Sequence, residues 1–190
     1  GWRLTTHARL TPTVQGTKSM VVSYTQGNQR HLFWLDLDAD GDLTVELDGQ
    51  AARKLTPNAV GATDYHTHEV QFANGQVSYR FDGNVIVNDW TGIHATAGFP
   101  AGRIFWGSAS SSGKGEMNVN SVEFVAGGSN LVSYHAGTGG NPAEAPNPTL
   151  QGWTRNAGTS PVSEGPLSPD SEPFLTGAET LAATDLNLEG

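Results

Sequence analysis

The sequence predicts an all-β domain rich in turns, and three observations carry that prediction. Glycine reaches 24 in 190 residues while charged residues make up only 15 %, a composition short of the Leu, Ala, Lys and Glu that fill helices. Runs of alternating apolar and polar residues recur along the first two thirds of the chain, which is the period of a half-buried strand. Asp40-Gly41 and Asn74-Gly75 stand between such runs, where a hairpin needs residues that tolerate positive φ. The length suits one principal domain with a real core.

The first strand is read from Trp2, Leu4, Thr6, Ala8 and Leu10, which alternate with polar residues. Residues 20–24, 104–106 and 118–125 are further runs rich in β-branched and aromatic side chains. About eight to ten strands are expected in residues 1–126. Two hairpins can be argued to register. In residues 30–49, a two-residue turn at Asp40-Gly41 would set Leu35 opposite Glu46 and Leu37 opposite Thr44, mixing the faces. A five-residue loop over residues 38–42 instead aligns Leu37 with Leu43, Leu35 with Val45 and Phe33 with Leu47, burying that face. Trp34, Asp36, Thr44 and Glu46 then share the outer face. In residues 64–82, closure at Asn74-Gly75 pairs Phe72 with Val77 and Val70 with Tyr79 on one apolar face. The opposite face sets Glu69 across from Arg80, an opposite-charge pair that agrees with the same register.

Composition changes over residues 126–150. Seven of the 10 prolines lie from residue 142 onward, and Arg155 is the only Lys or Arg from residue 131 onward. The expected organisation is a body over residues 1–126, a linker over 127–149 and a Pro-rich extended segment over 150–190. Nineteen acidic against 10 basic side chains give a net charge of −9, which works against nucleic acid and anionic membrane as partners. With no cysteine, disulfides, thiolate metal sites and cysteine nucleophiles are excluded. No apolar stretch approaches the roughly 20 residues of a membrane-spanning helix, and no secretory leader pattern opens the chain. Gly1 in place of an initiator Met fits a processed mature chain or an excised fragment.

Trp2-Arg3-Leu4-Thr5, Asp40-Gly41-Asp42-Leu43-Thr44-Val45, Tyr65-His66, Phe81-Asp82-Gly83, Trp90-Thr91-Gly92 and Phe105-Trp106-Gly107 follow one another in the chain. In this order they resemble laminin G-like modules of the concanavalin A-like lectin/glucanase superfamily. The resemblance implies a two-sheet antiparallel jelly roll, a concanavalin A-like sandwich, outside the cell, binding carbohydrate or protein and sometimes calcium. In such modules a stretch like residues 147–154, followed by one like residues 165–170, precedes the first strand. Here both follow the body, so the chain resembles a module whose N-terminal segment is displaced to its C-terminus.

The acidic run Asp36, Asp38, Asp40 and Asp42 opens like an EF-hand loop, whose alternating carboxylates suit calcium. Position 12 of that pattern is Leu47 instead of a Glu, and the flanks read as strands. Turn chemistry alone accounts for a hairpin tip, and a calcium site at Asp38, Asp40 and Asp42 is the alternative, because clustered carboxylates repel unless solvated or metallated. His66 and His68 have the spacing of two ligands on one strand face. They share that face with Val70, Phe72 and Phe81, so packed histidines are the expectation. Glu46-Leu47-Asp48 is the nearest fragment to the glucanase signature of the superfamily, and Gln50 and Ala51 stand where its third carboxylate should be. Residues 108–115 fail the phosphate-loop pattern at both ends. Among five tryptophans, Trp34 is the sugar-stacking candidate, beside Asp36 and Glu46 on the outer face, whereas Trp90 and Trp106 are expected in the core.

Three functions follow. The leading one is a non-enzymatic, secreted structural module that self-assembles with copies of itself into a filament, tandem array or surface layer. Its C-terminal strand would be exchanged, with Leu181, Leu186 and Leu188 pairing against an edge at Trp2 and Leu4. The second is a monomeric carbohydrate-binding or adhesion module recognising a polysaccharide or cell-surface glycan. The third is a glycoside hydrolase whose carboxylates come from distant segments. Calcium is the one cofactor considered.

Overall fold

The computed structural model describes residues 1–11, 20–95, 101–107, 116–135, 153–156 and 180–183. Among them the strands are β1 (Trp2–Thr11), β2 (Met20–Gln26), β3 (Gln29–Leu37), β4 (Leu43–Leu47), β5 (Arg53–Lys54), β6 (His66–Ala73) and β7 (Gln76–Phe81). They continue with β8 (Asn84–Val87), β9 (Ile93–His94), β10 (Ile104–Gly107), β11 (Glu116–Ala126), β12 (Ser129–His135), β13 (Trp153–Asn156) and β14 (Thr180–Ala183). One 3-10 turn, Pro57–Ala59, interrupts them. No helix among the described residues is long and apolar enough to cross a membrane.

These strands form two antiparallel sheets, as the alternation and the resemblance led one to expect. One sheet has the order β12-β11-β1-β6-β7-β8; the other runs β13-β14-β10-β2-β3-β4-β5, with β9 paired to β3. The apolar face of each closes on the other. Trp2 of the first sheet meets Tyr24 of the second edge-to-face at 4.7 Å, and Tyr24 lies 4.6 Å from Phe124 of the first. Trp106 of β10 meets Tyr134 of β12 at 5.1 Å. Large rings bridging the sheets in this way bury the most apolar area per residue.

Both hairpin registers are as the hydrophobic matching requires. β3 and β4 pair Leu37 with Leu43, Leu35 with Val45 and Phe33 with Leu47. β6 and β7 pair Phe72 with Val77, Val70 with Tyr79 and Glu69 with Arg80. Asn74 and Gly75 have φ of 53° and 80°, as a two-residue turn of this hand demands.

Two expectations are corrected. The body does not stop at residue 126. Gly127 and Gly128, at φ of 57° and 81°, turn the chain back so that Ser129–His135 pairs with β11. Tyr134 is buried on the core face, so part of the expected linker is sheet. Nor is the strand of Trp2 and Leu4 an edge awaiting Leu181. β1 pairs with β11 on one side and, over Trp2 to Ala8, with β6 on the other, so Trp2 and Leu4 have strand partners on both sides. The backbone of Leu181 instead pairs with Trp106 and Arg155 in the other sheet. Leu186 and Leu188 lie outside the described residues, as do residues 108–115.

Candidate functional site

The outer face of β3 and β4 is built by strand alternation. With Phe33, Leu35 and Leu37 turned into the core, Trp34 and Asp36 face outward, and so do Thr44 and Glu46 opposite them. All four are half-buried. Trp34 stands directly across from Glu46, and Asp36 across from Thr44. Thr44 Oγ1 donates to the Asp36 carbonyl at 3.2 Å, and the Leu37 N–H donates to Asp36 Oδ1 at 2.9 Å. The arrangement presents an indole with a carboxylate across the strands and another two residues along. A pyranose can stack its C–H face on the first and donate hydroxyl protons to the others.

Of the tryptophans whose side chains the structure describes, Trp34 is half-buried, and Trp2, Trp90 and Trp106 are buried. The expected core roles of Trp90 and Trp106 therefore agree with the structure. Farther along the same face of β3, Arg30 makes a buried fork with Asp48: Nε to Oδ2 at 2.7 Å and Nη2 to Oδ1 at 2.8 Å. The Asp48 carbonyl accepts from Trp90 Nε1 at 2.7 Å. Buried forks of this kind fix geometry more than they add stability. Asp48, which a hydrolase would enlist beside Glu46, is thus committed to Arg30. Nothing in the sequence pattern marks this pair, because its partners are brought together across two strands.

At the hairpin tip the three sequence-picked aspartates converge, with one oxygen from each within 4.8 Å of the others. They converge on a cation the sequence reading missed. Lys54 Nζ lies 2.9 Å from Asp38 Oδ2, 3.0 Å from Asp40 Oδ2 and 2.6 Å from Asp42 Oδ2. Hydrogen bonding to Lys54 holds the carboxyls of Asp38 and Asp42 below their ordinary value, and the same bonds raise the Lys54 ammonium above its own. The available signal was sparse: Arg53 and Lys54 are the only Lys or Arg between Arg30 and Arg80.

His66 and His68 are packed, as expected. His68 is buried, with Nδ1 2.8 Å from the Tyr79 hydroxyl. Burial, with a smaller contribution from His66, pulls its pKa down to about 3. His66 sits between Asp82 Oδ2 at 2.7 Å and the Gly61 carbonyl at 2.8 Å. Burial raises the Asp82 carboxyl, but the Thr67 N–H and the His66 ring outweigh it and leave a net lowering.

A family model described as the Vibrio cholerae sialidase lectin insertion matches residues 1–163. Sialidases of two serotype O1 strains of Vibrio cholerae, Classical Ogawa 395 and El Tor Inaba N16961, are each 33 % identical over 128 residues. These matches cover 65 % of this chain, which spans 15 % of the length of those relatives. The two-sheet sandwich fits the concanavalin A-like expectation, while the match is to a lectin insertion and not to laminin G-like modules. Because it runs through residue 163, it takes in residues 147–154 where they stand, after the body.

Proposed function

The chain belongs to the family of the Vibrio cholerae sialidase lectin insertion, and on that premise we propose that it is a carbohydrate-binding, lectin-like module acting outside the cell, without a catalytic role of its own. The observation that carries this reading is the family match over residues 1–163. The similarity reaches the lectin insertion and 15 % of the sialidases' length, so hydrolysis of sialosides is said of those enzymes. Self-association has no comparable support.

In this reading the sugar lies on the outer face of β3 and β4. Trp34 supplies the stacking plane, while Asp36 and Glu46 accept hydroxyl hydrogen bonds. Because the relatives are sialidases, sialylated glycans are the first to try. The test is a glycan array probed with the purified chain and with Trp34→Ala. Retention of the wild type on a defined set of glycans, weakened at least tenfold in the variant, is the expected result. An array with no signal above background would end the carbohydrate reading, and undiminished binding by Trp34→Ala would move the site elsewhere.

A further inference from the structure

The acidic tip and its lysine lead to an inference about metal dependence. Calcium takes 6–8 oxygen ligands at about 2.3–2.6 Å. Here Asp38, Asp40 and Asp42 turn one oxygen each to the common centre, and the other oxygens of the inner two are engaged. Asp38 Oδ1 accepts from the N–H groups of Asp40 and Asp42 at 2.9 and 3.0 Å. Asp42 Oδ1 accepts from the Ala59 N–H. The nearby carbonyls are turned into the loop as well: that of Asp38 accepts from Gly41 and that of Asp42 from Asp38. The donor set therefore falls short of a calcium cage, and an ammonium fills its centre.

The ammonium is delivered by backbone pairing. Lys54 lies opposite Thr44 in the β4–β5 pair. The Leu55 N–H donates to the Leu43 carbonyl at 2.7 Å, and Thr56 Oγ1 accepts from the Leu43 N–H at 2.9 Å. These bonds bring residues 54–56 against the root of the tip whatever the charges do. Burial then decides which charge matters. The Asp42 side chain is 4 % exposed and has the shortest contact with Lys54, whereas that of Asp40 is 78 % exposed and is hydrated. A buried carboxylate needs a counter-charge, and an exposed one does not.

We propose that Lys54 is the resident cation of this module, occupying the seat that the alternating aspartates would otherwise offer a divalent ion, so that folding and glycan binding are independent of calcium. The statement about folding stands by itself; the one about glycans rests on the carbohydrate reading above.

The experiment is thermal unfolding of the whole chain in EDTA and in millimolar CaCl2. It is repeated for Lys54→Gln, Asp42→Asn and the double variant. An ion that binds only the folded state must raise the melting temperature. The wild type should melt at the same temperature in both solutions. Each single variant should melt several degrees lower, and the double variant should lose less than the sum, because the two side chains share one interaction. A calcium-dependent rise for the wild type, or strictly additive losses, would overturn the proposal. Array binding, where present, should survive EDTA. Its loss from a protein that melts unchanged would put calcium at the sugar and refute the second half alone.

Discussion

The hairpins β3–β4 and β6–β7 share one interior plan and close in different ways. Each buries every second residue against the opposite sheet. The β6–β7 turn is closed by backbone geometry, with Asn74 and Gly75 both at positive φ and nothing within 4 Å of a Cβ added at Gly75. The β3–β4 tip spends five residues and takes a charge from outside the hairpin, where Lys54 meets Asp38, Asp40 and Asp42. A local turn is self-sufficient; an acidic tip depends on a strand that arrives later in the sequence.

Damage to the shared interior should have the largest effect. Leu35→Ala, which empties a fully buried position, should cost about 2–5 kcal/mol by chemical denaturation. Acid should come next, and through β6–β7. His68 is held neutral to a pKa of about 3, while in the unfolded chain it takes a proton near 6.5. Its contribution is complete above pH 6.5 and declines by roughly 1.4 kcal/mol per pH unit as the pH falls toward 3. His68→Gln should flatten that part of the stability profile. The β3–β4 tip responds in different pH windows. The lowered carboxyls of Asp38 and Asp42 and the raised ammonium of Lys54 contribute in full across neutral pH. That contribution is lost only below the ordinary carboxylate range or above the ordinary lysine range.

Smaller effects sharpen the contrast. Gly75→Ala, at φ of +80° with open space around it, should cost about 1–2 kcal/mol from backbone strain alone. Smallest should be Glu69→Ala. Its carboxylate is 3.7 Å from Arg3 and 3.6 Å from Arg80 on a solvent-facing sheet, and partly exposed ion pairs are worth up to about 1 kcal/mol. Salt titration of the wild type and the variant should show that difference shrinking as ionic strength rises.

The hairpin registers were legible because a one-residue slip would turn Leu35, Leu37, Val70 and Phe72 to solvent, and that rule needs nothing but the local pattern. Trp34, Asp36 and Glu46 were legible for the same reason, being the residues left outside. Lys54 was not, since its role depends on β5 folding back along β4. The fork of Arg30 and Asp48 was hidden likewise. Gly127-Gly128 could have been read as a hairpin turn, but the approaching composition break masked the alternation of residues 129–135. The position of β14 beside β10 was out of reach, because order along a chain does not specify which sheet edge a distant strand will join.

Amide chemical-shift mapping during titration with an array-selected glycan tests most directly whether a glycan lies on the outer face of β3 and β4. Shifts should concentrate at Trp34, Asp36, Thr44 and Glu46, with those of β6 and β7 unmoved. Shifts confined to the outer face of the six-stranded sheet, around Arg3, Glu69 and Arg80, would contradict it.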